Sequence, residues 1–331
     1  MYAIVIKDDD NSTLSWEAVG NPSLGPGEVI VAVTHAGVNR ADLMQRAGRY
    51  SPPVGVTDIL GLECSGFIDA IGPGVLEWSV GDRVCALLAG GGYAQRVVCS
   101  AKHVLRVPNS LSLAQAAGLP EVWCTAWLNL VIEGGIRSGE RVLIHAGASG
   151  VGTAAIQLCA LLGNPCFVTA GSSTKIERCI ELGAQGGWNR HEGSFVRAVR
   201  DWSSGGVDVI LDPVGGAYLT DNLGSLATGG RLINIGLLGG RSGEVDLGRI
   251  LMKRQRIIGS VLRSRSIEEK SAVVESLVDK VWPALSDGVV QPVIHAMVGI
   301  DRAEEAHEML ESNQTIGKVI LAMRERVGVD T

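Results

Sequence analysis

The segment that most constrains the fold is HAGASGVGTAAIQL at residues 145–158, because it places three glycines between the apolar runs RVLI and CFVTA. Gly150, Gly152 and Ala155 match the dinucleotide-binding fingerprint, with alanine in the third place. In this fingerprint the first glycine permits a tight turn, the second lets the backbone approach a pyrophosphate, and the small third residue lets the helix pack on the sheet. Because the segment follows a predicted strand and opens a predicted helix, it predicts a dinucleotide site and not a plain turn.

From about residue 123, short apolar runs alternate with helical patterns. The predicted strands are RVLIHA (141–146), CFVTA (166–170), GGWN, VDVILD (207–212), RLINIG (231–236) and RIIGSVL (256–262). Continuous apolar runs are typical of strands that are buried on both faces. Their alternation with helices predicts an α/β fold with a doubly wound parallel sheet.

Residues 1–122 differ, because short strand-like runs are separated there by glycine- and proline-rich turns. The one clear helix candidate in this part is RADLMQRAG, which follows Asn39. The end of the chain predicts an amphipathic helix and a closing segment, which we expect to return to the β-rich domain. The predicted division is a β-rich domain of residues 1–122 completed by residues 266–331, and a dinucleotide-binding domain of residues 123–265.

Charge and composition exclude several classes of protein. The 331 residues carry a net charge of −6 without a block of basic residues, so we expect no nucleic-acid partner and no attraction to an anionic membrane. No apolar stretch reaches transmembrane length and the N-terminus lacks the pattern of a signal peptide, so we expect a cytoplasmic protein. The seven cysteines include no C-x-x-C pair, which favours buried, reduced thiols.

The segment after the second predicted strand bears on the choice of dinucleotide. In NAD-binding sheets an acidic residue about 20 positions after the glycines binds the ribose 2′-hydroxyl. Here the corresponding segment is TAGSSTK, which contains no acid and carries Ser172, Ser173 and Lys175. These residues suit the 2′-phosphate of NADPH, although Lys175 could instead be a solvated surface lysine.

Long segments along the chain extend this interpretation. They are NRADLMQR, GRYSPP, ILGLE, ALLAGGGYAQ, AAGLPEVW, HAGASGVGTAAIQL, VTAGS, VLRSR and IGKVI. With them the chain resembles, almost end to end, the zinc-free quinone oxidoreductases of the medium-chain dehydrogenase/reductase superfamily, and most closely the p53-inducible type of NADPH:quinone oxidoreductase. The resemblance implies a GroES-like β-rich domain, a Rossmann domain, an active site in the cleft between them, and NADPH-dependent reduction of a quinone.

The resemblance also implies site residues. It places Asn39 and Tyr50 on the substrate side and Thr125, Gly236 and Leu237 near the nicotinamide. The other predicted cofactor contacts are Gly147, Ser149, Gly150, Val151, Gly152, Gly171, Ser172, Lys175, Arg190, Arg263 and Lys318. Each of the two substrate-side residues has an alternative role. Asn39 could instead serve only as a helix N-cap, and the Tyr50 ring could instead serve only to pack against its own loop.

One position departs from the pattern of the family. Arg190 stands where relatives often have a tyrosine near the adenosine phosphate. Because arginine binds phosphate by charge, Arg190 either replaces that contact or is a surface charge.

Zinc-using relatives surround their catalytic metal with a cysteine, a His-Glu pair and a further cysteine. At the matching positions this chain has Asn39, Leu62 beside Glu63, and Glu121. Leucine cannot coordinate a metal, and the sequence has no four-cysteine cluster for a structural zinc. We therefore predict a site without metal. A quinone suits such a site, because it accepts electrons readily without a Lewis acid. The main task of the enzyme is then to hold the quinone against the nicotinamide.

Two other functions stay open at this point. Reduction of an activated C=C bond, as in alkenal and enoyl reductases, uses the same delivery of hydride. A non-catalytic NADPH-binding protein is the alternative of a different class. Because relatives dimerise through the Rossmann domain and edge strands invite partner strands, we also expect a homodimer with twofold symmetry.

Overall fold

The computed structural model describes residues 1–324. The chain forms two units, one made of Met1–Glu121 with the described residues from Arg263 onward, and the other of Val122–Leu262. These boundaries differ from the predicted ones by one to three residues. All seven cysteines are buried and none forms a disulfide, as predicted. None of the helices within residues 1–324 is both long enough and apolar enough to cross a membrane.

The first unit is rich in antiparallel strands. Its strands are β1 (Tyr2–Ile6), β2 (Leu14–Ala18), β3 (Glu28–Gly37), β4 (Glu63–Ile71), β5 (Arg83–Leu87), β6 (Arg96–Ser100), β7 (Val104–Arg106), β14 (Ile294–Gly299) and β15 (Lys318–Ala322). Its main sheet has the order β14-β15-β3-β4-β5-β7, and β6 pairs with β3. Along β3 buried and less buried residues alternate, as expected for a strand with one face on the core.

The first unit also contains α-helices. They are α1 (Arg40–Arg46), α2 (Leu113–Ala116), α3 (Pro120–Trp127), α9 (Ile267–Ser286) and α10 (Ala303–Glu311). Helix α9 begins with a capping box, in which Ser266 and Glu269 each bond the other's backbone N–H. Helix α3 runs on into the second unit, where it continues as a π-helical segment over Leu128–Glu133.

The second unit is built on a parallel sheet. Its strands are β8 (Val142–Ile144), β9 (Cys166–Ala170), β10 (Gly186–Asn189), β11 (Val207–Asp212), β12 (Leu226–Asn234) and β13 (Arg256–Gly259), in the order β10-β9-β8-β11-β12-β13. The intervening helices are α4 (Gly150–Leu162), α5 (Ser173–Glu181), α6 (Val196–Trp202), α7 (Leu219–Ser225) and α8 (Leu247–Lys253). This arrangement confirms the predicted doubly wound sheet. The sequence did not predict α7, because LTDNLGS lacks a clear apolar period.

The strand order positions a ligand site. Strands β8 and β11 are neighbours, and the order of the strands reverses between them. In open parallel sheets, ligands bind beyond the carboxyl ends of the strands at such a reversal. The glycine-rich segment follows β8 directly, so it lies at this position in the sheet.

Candidate functional site

The glycine fingerprint connects β8 to α4. The Ser149 hydroxyl caps the helix by accepting a hydrogen bond from the Gly152 N–H at 3.0 Å. A β-carbon on Gly152 would come within 2.5 Å of the carbonyl oxygens of Ala146 and Gly147, so glycine lets the helix begin this close to the loop. Ala155 is fully buried, as the third position of the fingerprint requires. The N-terminus of α4 is therefore arranged as a pyrophosphate site.

Further predicted cofactor residues belong to the same unit. Gly150 and Val151 are the first two residues of α4. Gly236 follows β12, and a β-carbon there would lie 2.9 Å from the carbonyl oxygen of Pro213, just after β11. Gly236 therefore lies at the carboxyl end of the sheet, on the same edge as the glycine loop.

The other two predicted nicotinamide contacts are Leu237 and Thr125. Leu237 follows Gly236 and has 54% of its surface exposed. Thr125 lies on α3, and its carbonyl oxygen accepts a hydrogen bond from the Asn129 amide at 2.7 Å. Their contact with a nicotinamide stays a prediction.

A buried polar network, which the sequence did not reveal, fixes the end of β8. His145 Nε2 lies 2.6 Å from Asn222 Oδ1, and Nδ1 lies 2.9 Å from the Thr169 hydroxyl. The Asn222 amide in turn donates to Asp212 at the end of β11. Burial lowers the pKa of His145, so the ring is neutral, donating to Asn222 and accepting from Thr169. The network holds β8 and β11 in register next to the glycine loop.

The residues predicted to recognise the adenosine end meet beyond β9. Ser172 caps α5, accepting a hydrogen bond from the Lys175 N–H at 3.3 Å. A β-carbon on Gly171 would lie 3.4 Å from Arg190 Nε. The pKa of Lys175 is lowered by burial and, second, by the charge of Arg190. Two cations thus lie close enough to repel each other, and an anion bound between them would relieve that repulsion.

In the first unit, a buried lysine lies among the residues predicted for the substrate side. Lys318 Nζ lies 2.7 Å from Glu63 Oε1 and donates to Asn39 Oδ1 at 2.7 Å and to the Val38 carbonyl at 2.6 Å. The Asn39 amide nitrogen also donates to Glu63 at 3.0 Å. These contacts use the three N–H donors of the ammonium. The structure thus brings Lys318, predicted as a cofactor contact, into the polar cluster around Asn39.

The local backbone makes this cluster possible. Asn39 is the N-cap residue of α1, and its own N–H donates to Asp42 at 2.8 Å. A β-carbon at Gly37 would collide with the Glu63 carboxylate. Asn39 therefore occupies the cap position and also bonds Glu63 and Lys318, so the two interpretations of this residue are compatible.

A second buried network adjoins the first. Asp42 accepts hydrogen bonds from Gly61 N–H at 3.0 Å and from the Tyr93 hydroxyl at 3.2 Å, and this hydroxyl lies 3.3 Å from His307 Nε2. Burial raises the pKa of Asp42 to about 6 and lowers that of His307 to about 3. The His307 ring is therefore neutral. Because Asp42 on α1 and His307 on α10 are both buried, we assign them to the support of the cluster.

Tyr50 and Arg263 are stacked. The Arg263 guanidinium lies 5.2 Å from the centre of the Tyr50 ring. It also donates from Nε to the Ala89 carbonyl at 2.7 Å and from Nη2 to Gln45 at 2.7 Å. Burial is the main cause that raises the pKa of Tyr50, so the phenol is protonated at neutral pH. Arg263, predicted as a cofactor contact, thus braces the predicted substrate-side ring.

Glu121 is the residue whose importance sequence reasoning missed. It lies in the first turn of α3, and its N–H donates to Glu63 Oε2 at 2.9 Å. Burial, and then the charge of Glu63, raise the pKa of Glu121 to about 8. The sequence offered one signal, a glutamate within the apolar segment AAGLPEVW, but it gave no indication of the neighbours.

The fold family raises the question of a zinc ion, and the residues present do not suit one. Leu62 has no ligating atom, and Asn39 Oδ1 and Glu63 Oε1 are bound to the Lys318 ammonium. A zinc ion at this place would lie against that positive charge. Within residues 1–324, no three histidine, cysteine, aspartate or glutamate side chains are grouped to hold a metal.

Two family descriptions match the chain. Residues 25–109 match the alcohol dehydrogenase GroES-like domain, and residues 150–279 match the zinc-binding dehydrogenase family. The first match confirms the predicted GroES-like domain and the second the predicted Rossmann domain.

Several of the curated relatives are much longer proteins. The chain is 37% identical over 228 residues to a mycocerosic acid synthase-like polyketide synthase of Mycobacterium tuberculosis, which is 69% of this chain and 11% of that protein. It is 32% identical to polyketide synthase GfsB of Streptomyces halstedii over 95% of this chain and 5% of that protein. It is 30% identical to the synaptic vesicle membrane protein VAT-1 homolog of Danio rerio over 91% of this chain and 65% of that protein. The chain thus spans only a small part of these synthases.

Solved structures match nearly the whole chain. An NAD-dependent alcohol dehydrogenase is 30% identical with a TM-score of 0.86, over 97% of this chain and 99% of that one. CurK enoyl reductase is 26% identical with a TM-score of 0.86, over 98% and 99%. A mycobacterial protein complexed with NADPH is 29% identical, and a quinone oxidoreductase of Pseudomonas syringae is 25% identical, each with a TM-score of 0.85 over 97% and 99%.

These structures cover both units and fix the family, although they differ in cofactor and substrate. The chain belongs to the medium-chain dehydrogenase/reductase superfamily of nicotinamide-dependent oxidoreductases.

Proposed function

We propose that the protein is an NADPH-dependent, zinc-independent quinone reductase of the p53-inducible type. The observation that carries the proposal is the buried Lys318 ammonium bound by Asn39 and Glu63, at positions that match metal ligands in zinc-using relatives. Because a cation of the chain, and not a metal ion, occupies this place, the site has no Lewis acid to activate the substrate. The substrate must therefore be one that is easily reduced, and a quinone meets that requirement.

The preference for NADPH is supported by the group beyond β9. When bound, NADPH supplies the hydride. Arg190 lies beside Gly171 and close enough to Lys175 that its charge lowers the pKa of the lysine. A 2′-phosphate carries the negative charge that this pair attracts, whereas the ribose hydroxyl of NADH does not.

Tyr50 is proposed to bind the acceptor. Its half-buried ring offers a flat apolar surface to a quinone ring, and Arg263 fixes it from one side. The main contribution of Tyr50 is to hold the quinone at the distance and angle that hydride transfer requires.

Reduction of an activated C=C bond is the second candidate. It is favoured by the likeness to CurK enoyl reductase and to two polyketide synthases. An enone or enal carries a polarised carbonyl, so the same group of residues could bind its oxygen. A non-catalytic NADPH-binding protein is the third possibility, and it predicts NADPH binding without consumption.

One panel of substrates separates these functions. The purified protein is mixed with NADPH and with ortho- and para-quinones, enals and enoyl thioesters, and loss of NADPH absorbance is followed. We expect turnover with quinones and none with simple alcohols and NADP. Faster reduction of the C=C substrates would replace the first proposal by the second. NADPH binding without turnover of any acceptor would exclude both.

A further inference from the structure

We propose that His145 is a positioning residue of the dinucleotide site, which holds Ala146 in the left-handed backbone conformation that the glycine loop requires. The role rests on one part of the function proposed above, the binding of a nicotinamide dinucleotide at this loop. It does not depend on the choice between NADPH and NADH, because both carry the same pyrophosphate, and it does not depend on the acceptor.

Ala146 has a backbone conformation that alanine avoids. Its φ is 52°, and within residues 1–324 only three other non-glycine residues have a positive φ, namely Ser12, Arg254 and Asn313. In this conformation the β-carbon lies too close to a backbone carbonyl oxygen, whereas glycine adopts it without that cost. Ala146 therefore needs surrounding contacts that keep it in place.

Ala146 is the residue at which the chain turns from β8 into the glycine loop. Its carbonyl oxygen accepts a hydrogen bond from the Ser149 N–H at 2.9 Å, and Ser149 is the N-cap residue of α4. The same carbonyl oxygen would lie 2.5 Å from a β-carbon on Gly152. The conformation of Ala146 thus determines where α4 begins, and with it the position of the N–H groups that face a pyrophosphate.

Thr169 on β9 attaches the residues on both sides of Ala146 to the sheet. Its hydroxyl lies 2.9 Å from His145 Nδ1, and its carbonyl oxygen accepts a hydrogen bond from the Gly147 N–H at 2.9 Å. The backbone N–H of His145 also donates to the Leu211 carbonyl on β11 at 3.1 Å. A change of φ at Ala146 would displace its neighbours and break one of these bonds.

The His145 ring is also fixed on its other sides. Its Nε2 lies 2.6 Å from Asn222 Oδ1, and the ring centres of Phe195 and Tyr218 each lie 4.8 Å from the centre of the imidazole. Only 1% of the surface of His145 is exposed. The imidazole is therefore a rigid link between the sheet and the start of the loop.

A purely structural role of this network predicts a different result from a positioning role. A structural role lowers the stability of the unit whichever residue occupies position 146. In a positioning role, Ala146 relaxes when the link is lost, and the return of the loop to its binding shape reduces the affinity for the dinucleotide. Because glycine adopts a positive φ without that cost, Ala146→Gly should remove this dependence on His145.

The test uses two variants of the network in the full chain. His145→Phe keeps an aromatic ring but removes both hydrogen bonds. Thr169→Val removes only the hydroxyl that faces His145, so it is the milder change if His145→Phe does not fold. The matched control is His103→Phe, since His103 is likewise buried and its Nε2 lies 3.1 Å from the Ile267 carbonyl, in the first unit.

The first readout is the dissociation constant of NADPH, measured by titration calorimetry. We expect His145→Phe to weaken binding about tenfold, which corresponds to the cost of left-handed alanine, and Thr169→Val to weaken it less. The same factors should apply to NADH, because the loop binds the part that both dinucleotides share. His103→Phe should bind both dinucleotides as the wild type does.

The second readout is rescue by Ala146→Gly. Alone, this change should leave the affinity for NADPH close to that of the wild type. Combined with His145→Phe or Thr169→Val, it should restore most of the lost affinity. It should not restore the free energy of unfolding in urea to the same extent, because glycine replaces none of the buried hydrogen bonds. A loss of affinity that Ala146→Gly does not restore would overturn the proposal.

The outcomes separate this proposal from the function on which it rests. A wild type that binds NADPH, with His145→Phe and Thr169→Val binding it equally tightly, would overturn the role of His145 alone. A wild type that binds NADPH but reduces no acceptor would overturn the proposed reduction and leave the role of His145 to the rescue experiment. A wild type that binds neither NADPH nor NADH would overturn both.

Discussion

Lys318 Nζ lies 2.7 Å from Glu63 Oε1, and only 4% and 0% of the two side chains are exposed. An intact buried ion pair contributes only modestly to the free energy of unfolding. Removal of one partner, however, is strongly destabilising, because it leaves an unpaired buried charge. The pair therefore joins β15, at the end of the chain, to β4, near its beginning. Removal of one partner should therefore lower the stability of the first unit.

We expect Lys318→Met to lower the free energy of unfolding by about 3–5 kcal/mol, measured by urea denaturation. The control is Lys280→Met, because Lys280 pairs with Asp279 while 64% of the lysine side chain is exposed. That change should cost less than about 1 kcal/mol. Equal stability of the two variants would contradict the importance of the buried pair.

This pair also marks the limit of what the sequence could predict. The parallel sheet and the glycine loop follow from local patterns, namely apolar runs of strand length and the spacing of Gly150, Gly152 and Ala155. The contact of Lys318 with Asn39 joins residues 279 positions apart. No local pattern encodes such a contact, because it depends on how β15 pairs with β3.

Glu121 illustrates the same limit. The sequence shows an acid where zinc-using relatives have a cysteine, and this indicates only a departure from the zinc-using pattern. Its protonated state depends on burial and on Glu63, which reaches it through a backbone hydrogen bond. Electrostatic environment is a property of the folded neighbours and not of the residue type.

The cofactor preference tests the cation pair. NADPH should bind roughly ten- to a hundredfold more tightly than NADH, because one charge-assisted contact to a phosphate contributes on the order of 1.5–3 kcal/mol. Lys175→Glu should remove this preference, and Arg190→Gln should reduce it. Arg197→Gln, which changes an exposed arginine on α6, is the control and should change nothing. Both dissociation constants are measured by titration calorimetry, and equal wild-type values would contradict the assignment.

The edge of the parallel sheet predicts a homodimer. Strand β13 is the last strand of the sheet, and large apolar side chains are exposed in the same part of the chain, at Leu247, Leu251, Met252 and Val261. An exposed edge with apolar neighbours invites a second copy. Light scattering at micromolar concentration should return twice the chain mass of 34.7 kDa.

A charge in this region should separate the copies. We expect Leu251→Glu to give a monomer, because a carboxylate cannot be buried unpaired in an apolar contact. The control is Leu76→Glu, since Leu76 is 93% exposed and lies in the first unit. A wild-type monomer, or the same mass for Leu251→Glu as for the wild type, would count against this interface.

The site should function without a metal. Leu62 cannot coordinate, and Lys318 already binds Asn39 and Glu63, so a chelator should leave the rate of quinone reduction unchanged. Elemental analysis of the purified protein should find no stoichiometric zinc. Zinc at one ion per chain, with inactivation by the chelator, would reverse this prediction.

The last prediction separates binding from proton transfer at Tyr50. Its ring is held against Arg263 at 5.2 Å, whereas its hydroxyl has a raised pKa and is a poor acid. Tyr50→Phe keeps the ring and should lose little in kcat. Tyr50→Ala removes the surface that positions the acceptor, so it should raise KM and lower kcat together.

Steady-state kinetics with a quinone test both Tyr50 variants, and NADPH affinity serves as the control for folding. A loss of about 10²-fold or more in Tyr50→Phe is the size expected when a general acid is removed, and would assign the role of proton donor to Tyr50. Wild-type turnover by Tyr50→Ala would instead mean that the acceptor binds elsewhere. The expected pattern, with the ring important and the hydroxyl dispensable, follows because Arg263 fixes the ring while the raised pKa of the hydroxyl makes it a poor acid.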